Sequence, residues 1–136
     1  MKLRLINKIS VRSTNDEAIN LIKKNRNKPT LIHSIIQTKG RGTMGKKWVS
    51  QKGNLFISVF FEFDPNKINF KKFAILNAFL LKRVLDNFSN KNFVIKWPND
   101  LTIDKKKVCG ILQEIIKHND KTFLIIGIGV NTNFSP

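Results

Sequence analysis

Apolar and polar positions repeat with different periods along the chain, and the changes of period predict its strands and helices. Residues 3–9 alternate apolar and polar side chains, which is typical of a strand. Residues 18–22 instead carry apolar side chains at helical spacing, and Thr14 and Glu17 ahead of them have the spacing of a capping box. A second β-rich run covers residues 30–38. The first part of the chain is therefore predicted to fold as strand, helix, strand.

The rest of the chain contains the strongest strand and the clearest helix. Residues 54–63 are apolar on both faces, which predicts a central strand of a sheet. Residues 69–88 carry apolar side chains at helical spacing, and the middle of this segment is apolar on nearly all sides, which predicts a deeply buried helix. Residues 104–107 read as a charged, solvated hairpin tip. Four shorter strands are predicted over residues 93–96, 101–103, 108–116 and 123–130.

The order of these elements predicts an α+β fold. Strands that follow one another through short turns form hairpins, so the sheet is expected to be mixed and largely antiparallel, with the helices packed on it. Gly127 and Gly129 interrupt the last strand, and Gly110 the strand before it, although glycine destabilises a strand. We expect another group to pack against the bare backbone there. The 136 residues suffice for one domain with its own core.

The chain is strongly basic, with a formal net charge of +16. Such a charge fits a nucleic acid or an anionic surface as a partner. The lysines are scattered along the whole sequence, however, and the richness in Lys, Asn and Ile indicates a compositional bias. The charge alone therefore does not define the function.

Three features predict a cytoplasmic protein that does not enter a membrane. No apolar run is long enough to span a bilayer, and the first ten residues lack the apolar core of a secretory signal. The single cysteine, Cys109, cannot form an internal disulfide and fits a reducing compartment. No metal site is predicted, because His33 has no second ligand at a suitable spacing.

The segment between the second and third strands, residues 37–48, has the sequence QTKGRGTMGKKW. Its three glycines allow the backbone to approach a ligand closely, and its four cations add positive charge. Trp48 at its end offers a flat face for a base or for a core. The segment lacks the patterns of a Walker A loop and of a dinucleotide-binding turn. From these residues alone, a loop that closes over a nucleotide phosphate and a flexible basic hairpin loop both remain open.

A set of short motifs along the whole chain resembles the biotin protein ligase family. The motifs are STN at residues 13–15, Gln37, GRG at 40–42, GKKW at 45–48, KWPND at 96–100, KVCGIL at 107–112 and GIGVNTN at 127–133. The most specific signal is KWPND followed by a hairpin and K-x-x-G-I-L. The resemblance implies that residues 1–136 form the catalytic domain, with a sheet similar to that of class II aminoacyl-tRNA synthetases. Lipoate ligases share this fold, but a different glycine-rich signature would be expected in them.

The resemblance also implies a two-step reaction, that of a biotin–[biotin carboxyl carrier protein] ligase. Biotin and ATP, with Mg²⁺, first give biotinoyl-AMP and pyrophosphate. The biotinoyl group then moves to a lysine of the biotin carboxyl carrier protein of acetyl-CoA carboxylase or a related carboxylase. Both small substrates are anions, so the reaction requires charge stabilisation and positioning rather than a protein nucleophile.

The residues that the resemblance assigns to the site have distinct roles. Biotin would be bound by Ser13, Thr14, Asn15, Gln37, Gly40, Arg41, Gly42, Thr43, Lys96 and Gly110. ATP would be bound by Trp48, stacked on adenine, and by Lys107 and Asn131. Lys96 and Arg41 would be the catalytic residues, with Lys96 at the biotinyl carbonyl and the α-phosphate. Asn99 and Asp100 are expected to be turn and scaffold residues, and Cys109 a core residue.

Some of these assignments have simpler alternatives in the residues themselves. Residues 13–17 could serve only to begin a helix, and Lys96 could be an exposed lysine at a strand end. Thr43 replaces an arginine found in some family members, which leaves open how tightly the loop holds the adenylate.

Two absences bear on the resemblance. No helix-turn-helix precedes the first strand, so DNA is not expected as a partner. The chain ends at Pro136, whereas family members usually continue with further helices and a small C-terminal β-barrel. Three functions therefore remain open: an active ligase; a truncated, weakly active biotin-binding remnant; and a basic nucleic-acid-binding domain.

A homodimer that pairs an exposed strand edge near residues 127–131 is a further hypothesis.

Overall fold

A computed structural model of the protein describes residues 2–132. Within these residues, seven strands form one sheet, two α-helices pack on it, and a single 3₁₀ turn, Thr43–Gly45, lies in the loop after the second strand. The elements in chain order are β1 (Arg4–Val11), α1 (Thr14–Lys23), β2 (Thr30–Gln37), β3 (Leu55–Glu62), α2 (Phe70–Asp86), β4 (Val94–Lys96), β5 (Asp100–Ile103), β6 (Lys106–His118) and β7 (Lys121–Val130).

The strands are arranged across the sheet in the order β1-β2-β3-β7-β6-β5-β4. Strands β1 and β2 are parallel and joined through α1, whereas each other neighbouring pair is antiparallel. The predicted mixed, largely antiparallel sheet with helices packed on it is confirmed, and so is the central position of β3. Strand β7 is interior as well, so it offers no edge for a dimer near residues 127–131. The edge strands are β1 and β4.

Helix α1 covers one face of the sheet. Ala18 and Ile22 on the helix are fully buried against apolar side chains of β2, β3 and β7. These side chains are Ile32, Phe60, Phe123 and Ile125. The resulting core anchors the start of the helix above the middle of the sheet.

The cap of α1 differs from the predicted capping box. Ser13, rather than Thr14, is the N-cap, and its Oγ accepts a hydrogen bond from the backbone N–H of Asp16 at 3.0 Å. Thr14 is already the first helical residue, and its backbone N–H and its hydroxyl both donate to Gln37. The Thr14–Glu17 box is therefore wrong, because a tertiary contact engages the threonine.

Helix α2 packs on the opposite face, against Ile111, Leu124 and Ile126. Its predicted deep burial is wrong, since Ala78 is the one buried residue within the helix, and side chains such as Phe79 are half exposed. One side of the helix contacts the sheet. No other element of residues 2–132 covers its remaining apolar surface. An apolar surface on all sides makes a helix suitable for burial, but its burial also depends on the elements that cover it.

No helix in this part of the chain is both long and apolar enough to cross a membrane.

The hairpin between β5 and β6 is tighter than predicted. Its turn consists of Asp104 and Lys105, which have positive φ angles of 50° and 66°. Lys106 and Lys107, expected in a solvated tip, are instead the first residues of β6. Lys107 therefore belongs to the sheet, where its side chain has a defined face.

Candidate active site

A cleft lies on the α1 side of the sheet, between the start of α1, the loop after β2 and the strands β5 and β6. It opens to solvent. Its lining consists of Ser13, Thr14, Asn15, Gln37, Arg41, Gly42, Thr43, Trp48, Asn99, Asp100, Lys107, Gly110, Ile111, Leu112, Gly127, Ile128 and Gly129. Most of the residues that the motifs single out thus meet at one place.

Three glycines form the floor of the cleft, Gly110 on β6 and Gly127 and Gly129 on β7. A Cβ atom at Gly129 would lie 2.6 Å from Nε1 of Trp48, and one at Gly110 would lie 3.0 Å from the same ring. A Cβ atom at Gly127 would collide with the amide of Asn15. The expectation that other groups pack against the bare backbone is confirmed, and these groups are the side chains of Asn15 and Trp48.

The start of α1 forms a polar wall whose side chains are held by hydrogen bonds. Thr14 donates to Gln37 Oε1 through its backbone N–H at 2.8 Å and through its hydroxyl at 3.2 Å. Gln37 Nε2 donates to Ser50 Oγ at 3.0 Å. Ser58 on β3 donates to Thr14 Oγ1 at 2.7 Å and also lies within hydrogen-bond distance of Asn15 Oδ1. These residues therefore both begin a helix and present fixed polar groups to the cleft.

A β-bulge directs Lys107 into the cleft. The register between β5 and β6 shifts after Leu101, so that Thr102 pairs with Lys107 and Val108 is an extra residue. Side chains alternate between the two faces of a strand, so an unshifted register would turn Lys107 to the other face. With the bulge, Lys107 shares the face of Gly110, and its Cε would lie 3.2 Å from a Cβ atom at that glycine.

The ammonium of Lys107 lies beside a carboxylate and an indole. Its Nζ is 3.1 Å from Oδ1 of Asp100 and 5.2 Å from the centroid of the Trp48 ring. Nε1 of Trp48 is buried and has no hydrogen-bond partner within residues 2–132. This N–H lies against Gly129 of the floor, and a buried donor without a partner costs free energy.

Arg41 lies on the other side of the cleft, between two carboxylates. Its Nε and Nη2 donate to Asp16 Oδ1 at 3.1 and 2.8 Å, and its Nη1 and Nη2 donate to Glu114 Oε2 and Oε1 at 3.1 and 2.8 Å. The hydrogen bond with Glu114 raises the pKa of Arg41 despite partial burial. Burial raises the pKa of Glu114, but hydrogen bonds from Arg41 and Asn15 outweigh burial and hold this pKa below its ordinary value of 4.5.

Four residues that shape the cleft are not predicted from the sequence: Asp16, Ser50, Ser58 and Glu114. Ser58 could be recognised as a buried polar residue between two phenylalanines on the α1 face of β3. Glu114 follows Gly110 and Leu112 in the alternation of β6 toward the cleft. Asp16 carries no signal beyond that of an acidic residue in the first turn of a helix, and Ser50 carries none.

Three of the assigned residues do not line the cleft. Lys96 pairs with Asp100 across the β4–β5 hairpin and so shares its face, but it is exposed and forms no hydrogen bond or ion pair with the described residues. Asn131 Oδ1 accepts a hydrogen bond from Asn54 Nδ2 at 3.3 Å. Gly40 is buried at the base of the loop.

The expected scaffold residues have mixed outcomes. Asn99 Nδ2 donates to the carbonyl of Ile111 at 2.9 Å and so ties the turn after β4 to β6, as expected. Asn99 and Asp100 both line the cleft, and Asp100 also pairs with Lys107. Cys109 is fully buried, and burial raises the pKa of its thiol to about 12, which confirms the prediction of a core residue.

One motif residue cannot be placed: Asn133, the last residue of GIGVNTN, lies outside the described residues.

The known proteins to which this chain is similar are ligases. The family model of the biotin/lipoate A/B protein ligase family matches residues 8–131, and the chain belongs to this family. The resemblance to biotin protein ligases is thereby confirmed at the level of the family.

Two curated relatives illustrate the extent of the match. The bifunctional ligase/repressor BirA of Bacillus subtilis is 35% identical over 126 residues, which are 91% of this chain and 39% of the relative. Biotin–protein ligase 2 of Arabidopsis thaliana is 33% identical over 107 residues, which are 74% of this chain and 32% of the relative. The chain thus spans well under half the length of these curated relatives.

Solved structures of biotin ligases have the same architecture. The biotin acetyl coenzyme A carboxylase synthetase of Helicobacter pylori, with bound biotinylated ATP, matches with a TM-score of 0.80 and 28% identity over 95% of this chain and 61% of its own. The biotin protein ligase of Aquifex aeolicus, in complex with biotin and ATP, matches with a TM-score of 0.78 and 34% identity over 98% of this chain and 55% of its own. An archaeal lipoate protein ligase from Thermoplasma acidophilum shares the fold alone, with 13% identity and a TM-score of 0.64. The expected fold class is confirmed.

Proposed function

We propose that this chain carries the catalytic site of an ATP-dependent biotin ligase. The observation that carries the proposal is the convergence of residues 13–15, Gln37, Lys107 and Gly110 on a single cleft with a glycine floor. The Aquifex relative, which is similar over 98% of this chain, binds biotin and ATP. The motifs, the cleft and this likeness support the same reaction.

The polar wall at the start of α1 is the part of the cleft suited to the ureido ring of biotin. Ser13, Thr14 and Asn15 present hydroxyl and amide groups, and Gln37 beside them carries both an acceptor and donors. Hydrogen bonds within the wall fix these side chains before a ligand arrives, so that binding immobilises few further rotamers. Leu112 adds apolar surface for the acyl chain.

In the first step, a carboxylate oxygen of biotin attacks the α-phosphorus of ATP. A new O–P bond forms, the bond between the α-phosphorus and the bridging oxygen breaks, and pyrophosphate leaves with that electron pair. A fixed cation beside the reacting oxygens lowers the barrier of such a step. We assign this role to Lys107, whose ammonium lines the cleft, and a lesser role to Lys96, which lies outside the lining on the same face.

The ATP end of the cleft is proposed to lie at Trp48 and Asp100. Trp48 offers an indole for stacking on adenine. Mg²⁺ enters with ATP, prefers oxygen ligands and is commonly held by one carboxylate together with substrate phosphates. Asp100 is a carboxylate of this kind in the lining. Asn131 lies outside the lining and is proposed as an ATP contact through the motif alone.

In the second step, the amine of an acceptor lysine attacks the acyl carbon of biotinoyl-AMP. A C–N amide bond forms, the acyl C–O bond breaks, AMP leaves with the electron pair of that bond, and the attacking nitrogen loses a proton to solvent. We propose a biotin carboxyl carrier protein as the acceptor and the cytoplasm as the compartment. The name of the Arabidopsis relative, a biotin–protein ligase, supports a protein acceptor.

The proposal is tested by following both steps on one preparation with ATP, Mg²⁺, biotin and a carrier domain. We expect biotin-dependent release of pyrophosphate, followed by biotin on the carrier lysine. Lipoate in place of biotin is the control, because the family includes lipoate ligases. Biotin binding without pyrophosphate release would favour the weakly active biotin-binding remnant, and the absence of both would refute the proposal.

A further inference from the structure

The guanidinium of Arg41 joins three separate elements around the cleft. Arg41 belongs to the loop after β2, Asp16 to the first turn of α1, and Glu114 to β6. Four hydrogen bonds of 2.8 to 3.1 Å connect the guanidinium to the two carboxylates. A guanidinium has five N–H donors in a planar fork, so this arrangement leaves a single donor for any other partner.

The cluster of Arg41, Asp16 and Glu114 carries more negative than positive charge. Two carboxylates surround one guanidinium, and both are shielded, with side-chain exposures of 32% for Asp16 and 25% for Glu114. The cluster itself therefore offers no net positive charge to a ligand carboxylate or phosphate. Lys107 has one carboxylate partner, so its ammonium is the less neutralised cation in the lining.

The cluster fixes the base of the loop, whereas the tip of the loop projects into solvent. The backbone N–H of Gly42 donates to the carbonyl of Lys46 at 2.7 Å, next to Arg41. The N–H of Arg41 itself has no hydrogen-bond partner within the described part of the chain. Met44 at the tip is 95% exposed. Because the base of the loop is anchored, the backbone N–H of Arg41 is suited to donate a hydrogen bond to a ligand.

Glu114 also reaches the wall that is proposed to bind biotin. Its Oε1 accepts a hydrogen bond from Asn15 Nδ2 at 3.0 Å in addition to the one from Arg41. Asn15 in turn lies directly on Gly127 of the floor. One carboxylate thus connects the loop to the wall.

We propose that Asp16 and Glu114 are positioning residues that hold the Arg41 side chain as a clamp, which fixes the loop backbone and Asn15 around bound biotin. The role of the clamp in catalysis rests on the proposed function. In this arrangement Arg41 contributes its fixed position and its backbone N–H rather than a cation for the substrate. This assignment differs from the catalytic side chain that the resemblance implies.

A double-mutant cycle of Arg41→Lys and Glu114→Gln separates a clamp from direct contact with substrate. We expect each single variant to raise the KM for biotin in pyrophosphate release by about tenfold, at a nearly constant kcat, because a charged hydrogen-bond pair is broken. The double variant should be no worse than the more damaged single variant, because the two residues act as one unit. Effects that multiply in the double variant would overturn the clamp, because Arg41 would then act independently of Glu114.

Limited proteolysis tests the clamp without any reaction. In the ligand-free, folded protein, Glu114→Gln should accelerate trypsin cleavage after Lys46 and Lys47 by about tenfold, because the base of the loop is released. Glu62→Gln is the matched control, since it removes a carboxylate from the exposed 4.0 Å pair with Lys121 on another part of the sheet. Unchanged cleavage in folded Glu114→Gln protein would overturn the clamp.

A second variant at the other carboxylate keeps the test decisive if Glu114→Gln fails to fold. Asp16→Asn should accelerate the same cleavages, and Glu17→Gln, in the same turn of α1 but without contact to Arg41, should not. If the unmodified protein neither binds biotin nor releases pyrophosphate with biotin and ATP, the proposed function is refuted, and the protease comparison still decides the clamp. If it releases pyrophosphate while the variants change neither KM nor cleavage, the function stands and the clamp is refuted.

Discussion

At the scale of single residues, the two cations in the lining differ in their surroundings. Arg41 is bonded to two carboxylates, whereas Lys107 faces one carboxylate and an indole. A reaction between a carboxylate and a triphosphate requires positive charge close to the reacting oxygens. Lys107 meets this requirement because the bulge at Val108 turns it toward the floor.

Replacement of Lys107 by alanine is expected to slow adenylate formation by about 10²- to 10³-fold, the usual effect of removing one such donor. Lys96→Ala is the matched comparison, because it removes the same charge from the same face of the sheet. We expect Lys96→Ala to slow the step less than about tenfold, since its ammonium lies outside the lining of the cleft. Single-turnover pyrophosphate release measures both variants. A larger loss in Lys96→Ala would restore the catalytic role that the motif alone assigns to Lys96.

Acid is expected to weaken the fold in part through Glu114. Burial raises the pKa of this carboxyl, but hydrogen bonds from Arg41 and Asn15 hold it below 4.5. A depressed pKa contributes stability that is complete above the unfolded-state value and is lost as the pH falls through the folded-state value. Urea unfolding from about pH 7 to about pH 3 should therefore show a smaller fall in the free energy of unfolding for Glu114→Gln than for the unmodified protein. Parallel curves would contradict this.

At the scale of elements, the periodicity of the sequence predicts each strand and both α-helices to within a few residues, because it reflects which side chains are buried. The register between strands is not encoded locally. The shift after Leu101, which turns Lys107 into the cleft, arises only when β5 pairs with β6. The exposure of α2 could not be predicted either, because it depends on what covers the helix rather than on the helix itself.

The motif residues of the cleft could be predicted from the sequence, but the contacts that hold them could not. The STN, GRG and K-x-x-G-I-L motifs have recognisable spacings and converge as expected. The partners of Arg41 are ordinary acidic residues, and Glu114 lies 73 positions further along the chain. Ion pairs of this kind follow from tertiary structure, which places β6 and the loop side by side.

The glycine floor gives a prediction for β7. A Cβ atom at Gly129 would lie 2.6 Å from Trp48 Nε1, whereas at Gly42 the nearest atom would be 3.5 Å away. We expect Gly129→Ala to lower the free energy of unfolding by about 1–3 kcal/mol through overpacking. Gly42→Ala, as the control, should change it by less than about 0.5 kcal/mol. Equal unfolding free energies for the two variants in urea would show that Trp48 can move away without cost.

At the scale of the whole molecule, the net charge of +16 gives the protein a positive field that attracts anionic substrates. ATP carries more negative charge than biotin, so the effect of the field on ATP should be larger. Raising the ionic strength from about 0.05 to about 0.5 M is expected to raise the KM for ATP several-fold, and that for biotin less, because salt screens the field. Equal salt dependence of the two KM values would indicate that local contacts, rather than the overall charge, determine binding.

Activation of biotin by ATP in this cleft is tested most directly by the exchange of labelled pyrophosphate into ATP. The exchange requires only the first step and its reversal, so it needs no acceptor protein. We expect exchange that depends on both biotin and Mg²⁺ and that is lost in folded Lys107→Ala protein. Exchange at the biotin-free background in the folded, unmodified protein would contradict the assignment of this cleft as the site of biotin activation.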